Sequence, residues 1–255
     1  MNTPNAQVSL IGAGPGDPEL ITVRGLKRLQ AADVVVYDEL AGKELLAFCR
    51  PEAELVFVGK RCGHHTMEQE RINQLLVARA KQGLKVVRLK GGDPYIFGRG
   101  GEEVAELVSN GVSVEVVPGV TAAAAAGAAS RVPLTHREFS SGVIFLTGHE
   151  KPDKPESAID WQALARTRMT LCIYMGVKKI NHVAEQLVAG GLPVDTPVAI
   201  VSRASWADQS VLELSLYELI RGEHGEVPAP ALAIIGEVAR VPSLVRAMAT
   251  ESGSL

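Results

Sequence analysis

Val8-Ser9-Leu10-Ile11-Gly12-Ala13-Gly14-Pro15-Gly16-Asp17 is an apolar strand that runs straight into a glycine-rich turn. A helical pattern follows, with Val23, Leu26 and Leu29 three residues apart and Thr22 placed to cap the first turn. Strand, glycine turn and helix in that order outline an anion or nucleotide cradle. The spacing excludes two common versions of it. Asp17 occupies the position where GxGxxG needs its third glycine, and Gly59-Lys60 is followed by Arg61 rather than the Ser or Thr of a phosphate loop. Pro15 stiffens the turn and Asp17-Pro18 holds its exit extended, which favours a cofactor without a pyrophosphate.

Outward from this stretch, Val34-Val35-Val36-Tyr37-Asp38 reads as a buried parallel strand, because its apolar run is continuous rather than alternating. Thr66 to Gln69 has capping-box spacing before a helix carrying Ile72, Leu75, Leu76 and Ala80. Strands are expected at Val86 to Leu89 and Val112 to Val117, with a short helix from Glu102 to Ser109 between them. The alanine-rich stretch from Thr121 to Ser130 predicts a close-packed helix with Thr121 as its N-cap. This alternation predicts an open, mainly parallel α/β sheet. A second unit is expected from strands at Val143 to Leu146, Thr170 to Tyr174, Pro197 to Val201, Val211 to Leu214 and Ala231 to Ile235, with a helix from Lys178 to Ala189. The expected domains are 8–137 and 141–241, with the boundary near 138–142. Glu150 to Glu156 reads as a loop of the second domain, and the last five residues as frayed.

Composition narrows the function. The chain of 255 residues has 26 basic and 29 acidic side chains, a formal charge of −3, which gives no support to a nucleic-acid partner. Aromatic residues are only 4%, too few for a base-stacking sheet. Cys49, Cys62 and Cys172 are odd in number and far apart, so they form neither a disulfide framework nor a zinc knot and suit a reduced cytoplasmic protein. His64 and His65 lack Cys or Asp partners at a metal-ligand spacing, while His136 and His149 read as local hydrogen-bonding residues. The first seven residues lack the pattern of a signal peptide. The small-apolar run Ala122 to Ala129 falls far short of the roughly 20 residues of a membrane span. The expectation is a soluble cytoplasmic enzyme with no membrane partner.

A second glycine cluster, Arg88-Leu89-Lys90-Gly91-Gly92-Asp93-Pro94-Tyr95-Ile96-Phe97-Gly98-Arg99-Gly100-Gly101-Glu102-Glu103, lies just past a strand's C-terminal end, where open α/β sheets place ligand loops. Five glycines in eleven residues, with a flanking acid and an arginine, point to backbone contact with a ligand rather than a bare turn.

These pieces belong to a longer ordered series. It comprises GAGPGDPELIT from Gly12, ADVVVYDEL from Ala32, GKRCGHHTMEQ from Gly59, VVRLKGGDPYIFGRGGEE from Val86, VVPGVTAAAAA from Val116, PLTHR from Pro133, TGHE from Thr147, YMG from Tyr174 and TPVAIV from Thr196. The series resembles the tetrapyrrole methylase family, and within it the members that C-methylate uroporphyrinogen III, over about Val8 to Val241.

The resemblance implies a two-domain α/β fold with an open, mainly parallel N-terminal sheet and a mixed second sheet, assembled as a homodimer. It implies S-adenosylmethionine as cofactor and two methyl transfers to uroporphyrinogen III. The product is precorrin-2, formed via precorrin-1 with two S-adenosylhomocysteines and without a metal. Cofactor contacts fall on Pro15, Gly91, Gly92, Asp93, Ile96, Thr121, Ala122 and Met175, with Ala204 where the family usually has glycine. Asp38 and Lys60 match positions proposed as proton acceptor and proton donor; their alternatives are helix capping for Asp38 and pairing with a substrate carboxylate for Lys60. Arg61, Arg99, Glu102 and Arg137 match the substrate cleft, where guanidinium forks suit a ligand with eight carboxylates. Other open readings are a methylase of a later precorrin, a protein or RNA methyltransferase, and a noncatalytic tetrapyrrole-binding module. The resemblance leaves open whether the product feeds sirohaem, cobalamin or haem d1.

Overall fold

The computed structural model describes residues 6–59, 68–148 and 159–251. Its contacts divide the chain into two compact units between Ala122 and Ala123. The first unit contains β1 (Val8–Gly12), α1 (Val23–Gln30), β2 (Val34–Tyr37), β3 (Glu54–Phe57), α2 (Gln69–Lys81), β4 (Val86–Lys90), α3 (Gly100–Ser109) and β5 (Val114–Val117). Its five strands are all parallel, in the order β3-β2-β4-β1-β5. The central strands β1 and β4 are buried along their whole length, as strands covered on both faces must be. Alternate residues feed two clusters. Val8, Leu10, Val34, Val36 and Val86 pack with Ile72, Leu76 and Leu107. Ile11, Val35, Val87 and Leu89 pack with Leu29 and Leu45.

Local signals explain several boundaries. Thr22 caps α1 as expected, its hydroxyl accepting the Gly25 amide at 3.1 Å. Asp17 is extended and caps a short 3-10 turn over Pro18–Leu20. Helix α2 starts with Glu68 as N-cap and without a side-chain cap bond; Thr66 lies outside the described residues. Strand β5 begins later than the apolar run suggests, because Gly111 turns left-handed (φ +73°) and the Val112 amide donates back to the Leu107 carbonyl of α3. Strand β3, which the sequence reading passed over, is a four-residue edge with Glu54 and Leu55 exposed.

The second unit takes up α4 (Ala122–Ser130), which starts at the division, and continues with β6 (Val143–Thr147), α5 (Trp161–Thr167), β7 (Thr170–Tyr174), α6 (Ile180–Ala189), β8 (Pro197–Ser202), β9 (Ser210–Ser215), α7 (Leu216–Ile220), β10 (Ala231–Ile235) and α8 (Val241–Glu251). The sheet order is β6-β7-β10-β8-β9. Only β6 and β7 pair parallel; the other neighbours are antiparallel. Leu171, Ile173, Val198, Ile200, Ala233 and Ile235 pack with Ile180, Val183, Leu187, Leu216 and Leu219. Ser215 and Glu218 close a full capping box on α7. The boundary expected near 138–142 falls between the last strand of the first sheet and the first strand of the second, whereas the contact division falls earlier, before the body of α4. No helix among the described residues is long and apolar enough to cross a membrane.

Candidate active site

Parallel strands deliver the loops after β1, β2, β4 and β5 to one edge of the first sheet. There the glycines of separate loops meet. The Gly92 amide donates to the Gly14 carbonyl at 2.7 Å, the Gly14 amide donates to the Gly92 carbonyl at 3.2 Å, and the Ala13 amide donates to the Lys90 carbonyl at 2.7 Å. A Cβ on Gly12 would lie 2.5 Å from the Gly119 Cα, and one on Gly91 would lie 2.6 Å from the Leu40 Cβ. These two glycines therefore serve contact between loops. Gly92 differs: it is left-handed (φ +66°), and a Cβ there would meet, among the described residues, only the Ala122 amide nitrogen, at 3.9 Å. Pro15, Ile96, Thr121 and Ala122 are all half-buried. The Asp93 carboxylate accepts the Tyr95 amide at 2.8 Å on one oxygen and the Gly119 amide at 3.0 Å on the other, so it ties the β4 loop to the β5 loop.

Asp38 ends β2. One of its oxygens caps the 3-10 turn Glu39–Ala41 by accepting the Leu40 amide at 3.2 Å; the other accepts from Arg88 at 3.0 Å. Behind it lies a buried ionic cluster that the sequence reading did not single out. Arg88 and Lys90 project from the same side of β4 and both donate to Glu103 Oε1 on α3, at 3.2 and 3.0 Å. Gln69 donates to the same oxygen at 3.0 Å. Burial, and then the neighbouring Arg88 charge, push the Lys90 ammonium below the usual lysine range, while Glu103 pulls the other way. The available signal was two cations at i and i+2 inside the otherwise apolar VVRLK. Arg99 is left-handed (φ +57°) at the start of α3, and its fork grips Glu102 at 2.9 and 2.6 Å. Lys60 and Arg61 lie outside the described residues.

The remaining expected site residues belong to the second unit. Met175 follows β7 with φ +53° and is 57% exposed. Behind it, the buried Tyr174 hydroxyl accepts the Ala123 amide at 3.1 Å. A Cβ on Gly148 would lie 2.2 Å from the Gly176 Cα. Arg137 is exposed on the turn closed by paired backbone bonds between His136 and Ser140. His136 bonds locally, accepting the Glu138 amide on Nδ1 at 3.2 Å. Ala204 sits between two left-handed residues, Arg203 (φ +52°) and Ser205 (φ +70°), without a positive φ of its own, which makes its methyl group compatible with the local backbone. Arg203 stacks on Trp206 at 4.7 Å and pairs with Asp208 at 2.7 Å. Among the described residues no cluster of three His, Cys, Asp or Glu side chains could hold a metal ion.

An all-parallel sheet with glycine-tight loops on its carboxyl edge, followed by a mixed-sheet unit, defines a two-unit α/β protein whose candidate site is on those loops. The chain belongs to the tetrapyrrole (corrin/porphyrin) methylases, whose family profile matches residues 7–220. It is 51% identical over 237 residues to siroheme synthase 1 of Yersinia enterocolitica, covering 93% of this chain and 50% of that one. It is 47% identical over 240 residues to an S-adenosyl-L-methionine-dependent uroporphyrinogen III methyltransferase of Methanosarcina barkeri, covering 94% of each. The crystal structure of uroporphyrin-III C-methyl transferase from Thermus thermophilus complexed with S-adenyl homocysteine aligns with TM-score 0.79 and 43% identity, over 92% of this chain and 99% of that one. The chain spans about half the length of the siroheme synthases it matches.

Proposed function

We propose that the chain is an S-adenosylmethionine-dependent C-methyltransferase that converts uroporphyrinogen III to precorrin-2 by two methyl transfers. The observation that carries this reading is the match to the Methanosarcina barkeri methyltransferase over 94% of both chains. The local geometry fits the cofactor. The space beside the left-handed Gly92 is open, an amide nitrogen borders it, and Ile96 adds apolar surface on the same loop. When bound, the cofactor supplies an activated methyl group on a sulfonium.

The work left to the protein is alignment and proton handling. Gly92 gives backbone access and Gly91, packed on Leu40, seats the turn that presents it, with Pro15, Ile96, Thr121, Ala122, Met175 and Ala204 completing the cofactor contacts. Asp93 acts by tying the β4 and β5 loops together. Arg99, Arg137 and Arg61 bind substrate carboxylates. Glu102 holds the Arg99 fork until a substrate carboxylate replaces it. Asp38 accepts the proton released from the methylated pyrrole, and Lys60 donates one. The reading includes a cytoplasmic homodimer.

Anaerobic incubation with uroporphyrinogen III and labelled S-adenosylmethionine, followed by product mass, tests it. A gain of two methyl groups is expected. Intact cofactor binding with no transfer to this substrate would overturn the substrate assignment and point to a later precorrin or another acceptor.

A further inference from the structure

Arg88 is 3% exposed in the middle of β4, and its guanidinium is used on every side. Nε donates to Glu103 at 3.2 Å, one terminal nitrogen donates to the Val36 and Leu89 carbonyls at 3.4 and 3.0 Å, and the other donates to Asp38 at 3.0 Å. Glu103 is fully buried; one of its oxygens takes Arg88, Lys90 and Gln69 together, and the other has no hydrogen-bond partner among the described residues. Buried charges barely recover their desolvation cost, and apolar side chains of similar size commonly serve stability as well or better. The arrangement has a directional result instead. Of the four charged groups only Asp38 reaches solvent appreciably, its side chain 29% exposed against 4%, 5% and 0% for the side chains of Arg88, Lys90 and Glu103.

We propose that Arg88 is a positioning residue for the Asp38 carboxylate, with Glu103 as the buried counter-ion that fixes Arg88; this rests on Asp38 acting in methyl transfer. The Leu40 amide holds one Asp38 oxygen and Arg88 holds the other, so both are directed from two elements at once. A lysine at 88 would keep the charge but could not span two carboxylates and two carbonyls with a planar fork.

The test is single-turnover methyl transfer to uroporphyrinogen III at saturating cofactor, in the parent, Arg88→Lys, Asp38→Asn and the double variant. Arg88→Lys is expected to slow transfer about ten- to a hundredfold, with S-adenosylhomocysteine affinity within about twofold of the parent. In the Asp38→Asn background the same change is expected to cost less than about twofold, because a residue acting through Asp38 has nothing left to position. An equal loss in both backgrounds, or no loss in the single variant, overturns the proposal. An Asp38→Asn rate equal to the parent removes Asp38 from the reaction and this proposal with it, while the methyltransferase reading stands. Glu103→Asp keeps every charge and slackens the support by one methylene. If Arg88→Lys does not fold, Glu103→Asp must show a smaller loss that again vanishes with Asp38→Asn.

Discussion

Gly12 and Gly119 approach so closely that neither can carry a side chain: a Cβ on Gly12 would lie 2.5 Å from the Gly119 Cα, and one on Gly119 would lie 2.7 Å from the Gly12 Cα. The backbone must move if either is replaced. Gly12→Ala is expected to destabilise the protein by about 1–3 kcal/mol and to weaken cofactor binding with it. Gly101→Ala is the control, since a Cβ there meets nothing within 4 Å among the described residues and Gly101 is helical; it should be neutral or slightly stabilising. Thermal melts of both variants check this, and equal melting temperatures would refute the crowding argument.

Asp93→Asn tests whether that carboxylate holds the loops or only a ligand. An amide can still accept from Tyr95, but on the other side it would set an N–H against the Gly119 amide or lose the bond. The expected result is a lower melting temperature of the free protein together with weaker S-adenosylmethionine binding by calorimetry. Weaker binding at an unchanged melting temperature would assign Asp93 to the ligand alone.

Arg99→Lys keeps a cation but loses the planar fork now closed on Glu102. We expect kcat/KM for uroporphyrinogen III to fall about tenfold or more, the order set by losing a charge-assisted bidentate contact, with no change in S-adenosylhomocysteine affinity. Steady-state kinetics beside calorimetry separates the two. A matching loss of cofactor affinity would overturn the proposed substrate role of Arg99.

Asp33 gives the acid limb of stability a local origin. The Lys85 amide donates to its carboxylate at 2.7 Å and Arg50 pairs with the other oxygen, which together hold the carboxyl below the usual aspartate range. The folded value lies under the unfolded one of about 3.9, so the stabilisation is complete above roughly pH 4 and is lost as pH falls through the folded value. Asp33→Asn should be less stable near neutrality, and the gap to the parent should shrink toward pH 2. Denaturation midpoints measured across that interval check it; parallel curves would rule Asp33 out.

The strand Val34 to Tyr37, whose apolar run is continuous, was legible because burial on both faces leaves a local signature. Thr22 was legible for a similar reason, since a cap acts on its own helix. The edge strand β3 was not: two of its four residues are exposed, and only pairing with β2 makes it a strand. The short helices α5 and α7 were missed because seven and five residues are too few to establish a period. Gly12 and Gly91 could be seen as glycines in ligand loops, but not as contacts to Gly119 and Leu40, which are distant in sequence. Arg88, Lys90 and Glu103 form a cluster only when α3 folds back over β4.

The order of the first sheet also constrains how the chain is made. β1 occupies an interior position between β4 and β5, so neither of its neighbours precedes Val86. A ribosome releases Val8–Gly12 with both hydrogen-bonding edges open, and they stay open until Val86–Lys90 and then Val114–Val117 have emerged. During synthesis this strand is open to pairing with another nascent chain, and non-local parallel pairing makes its own closure slow.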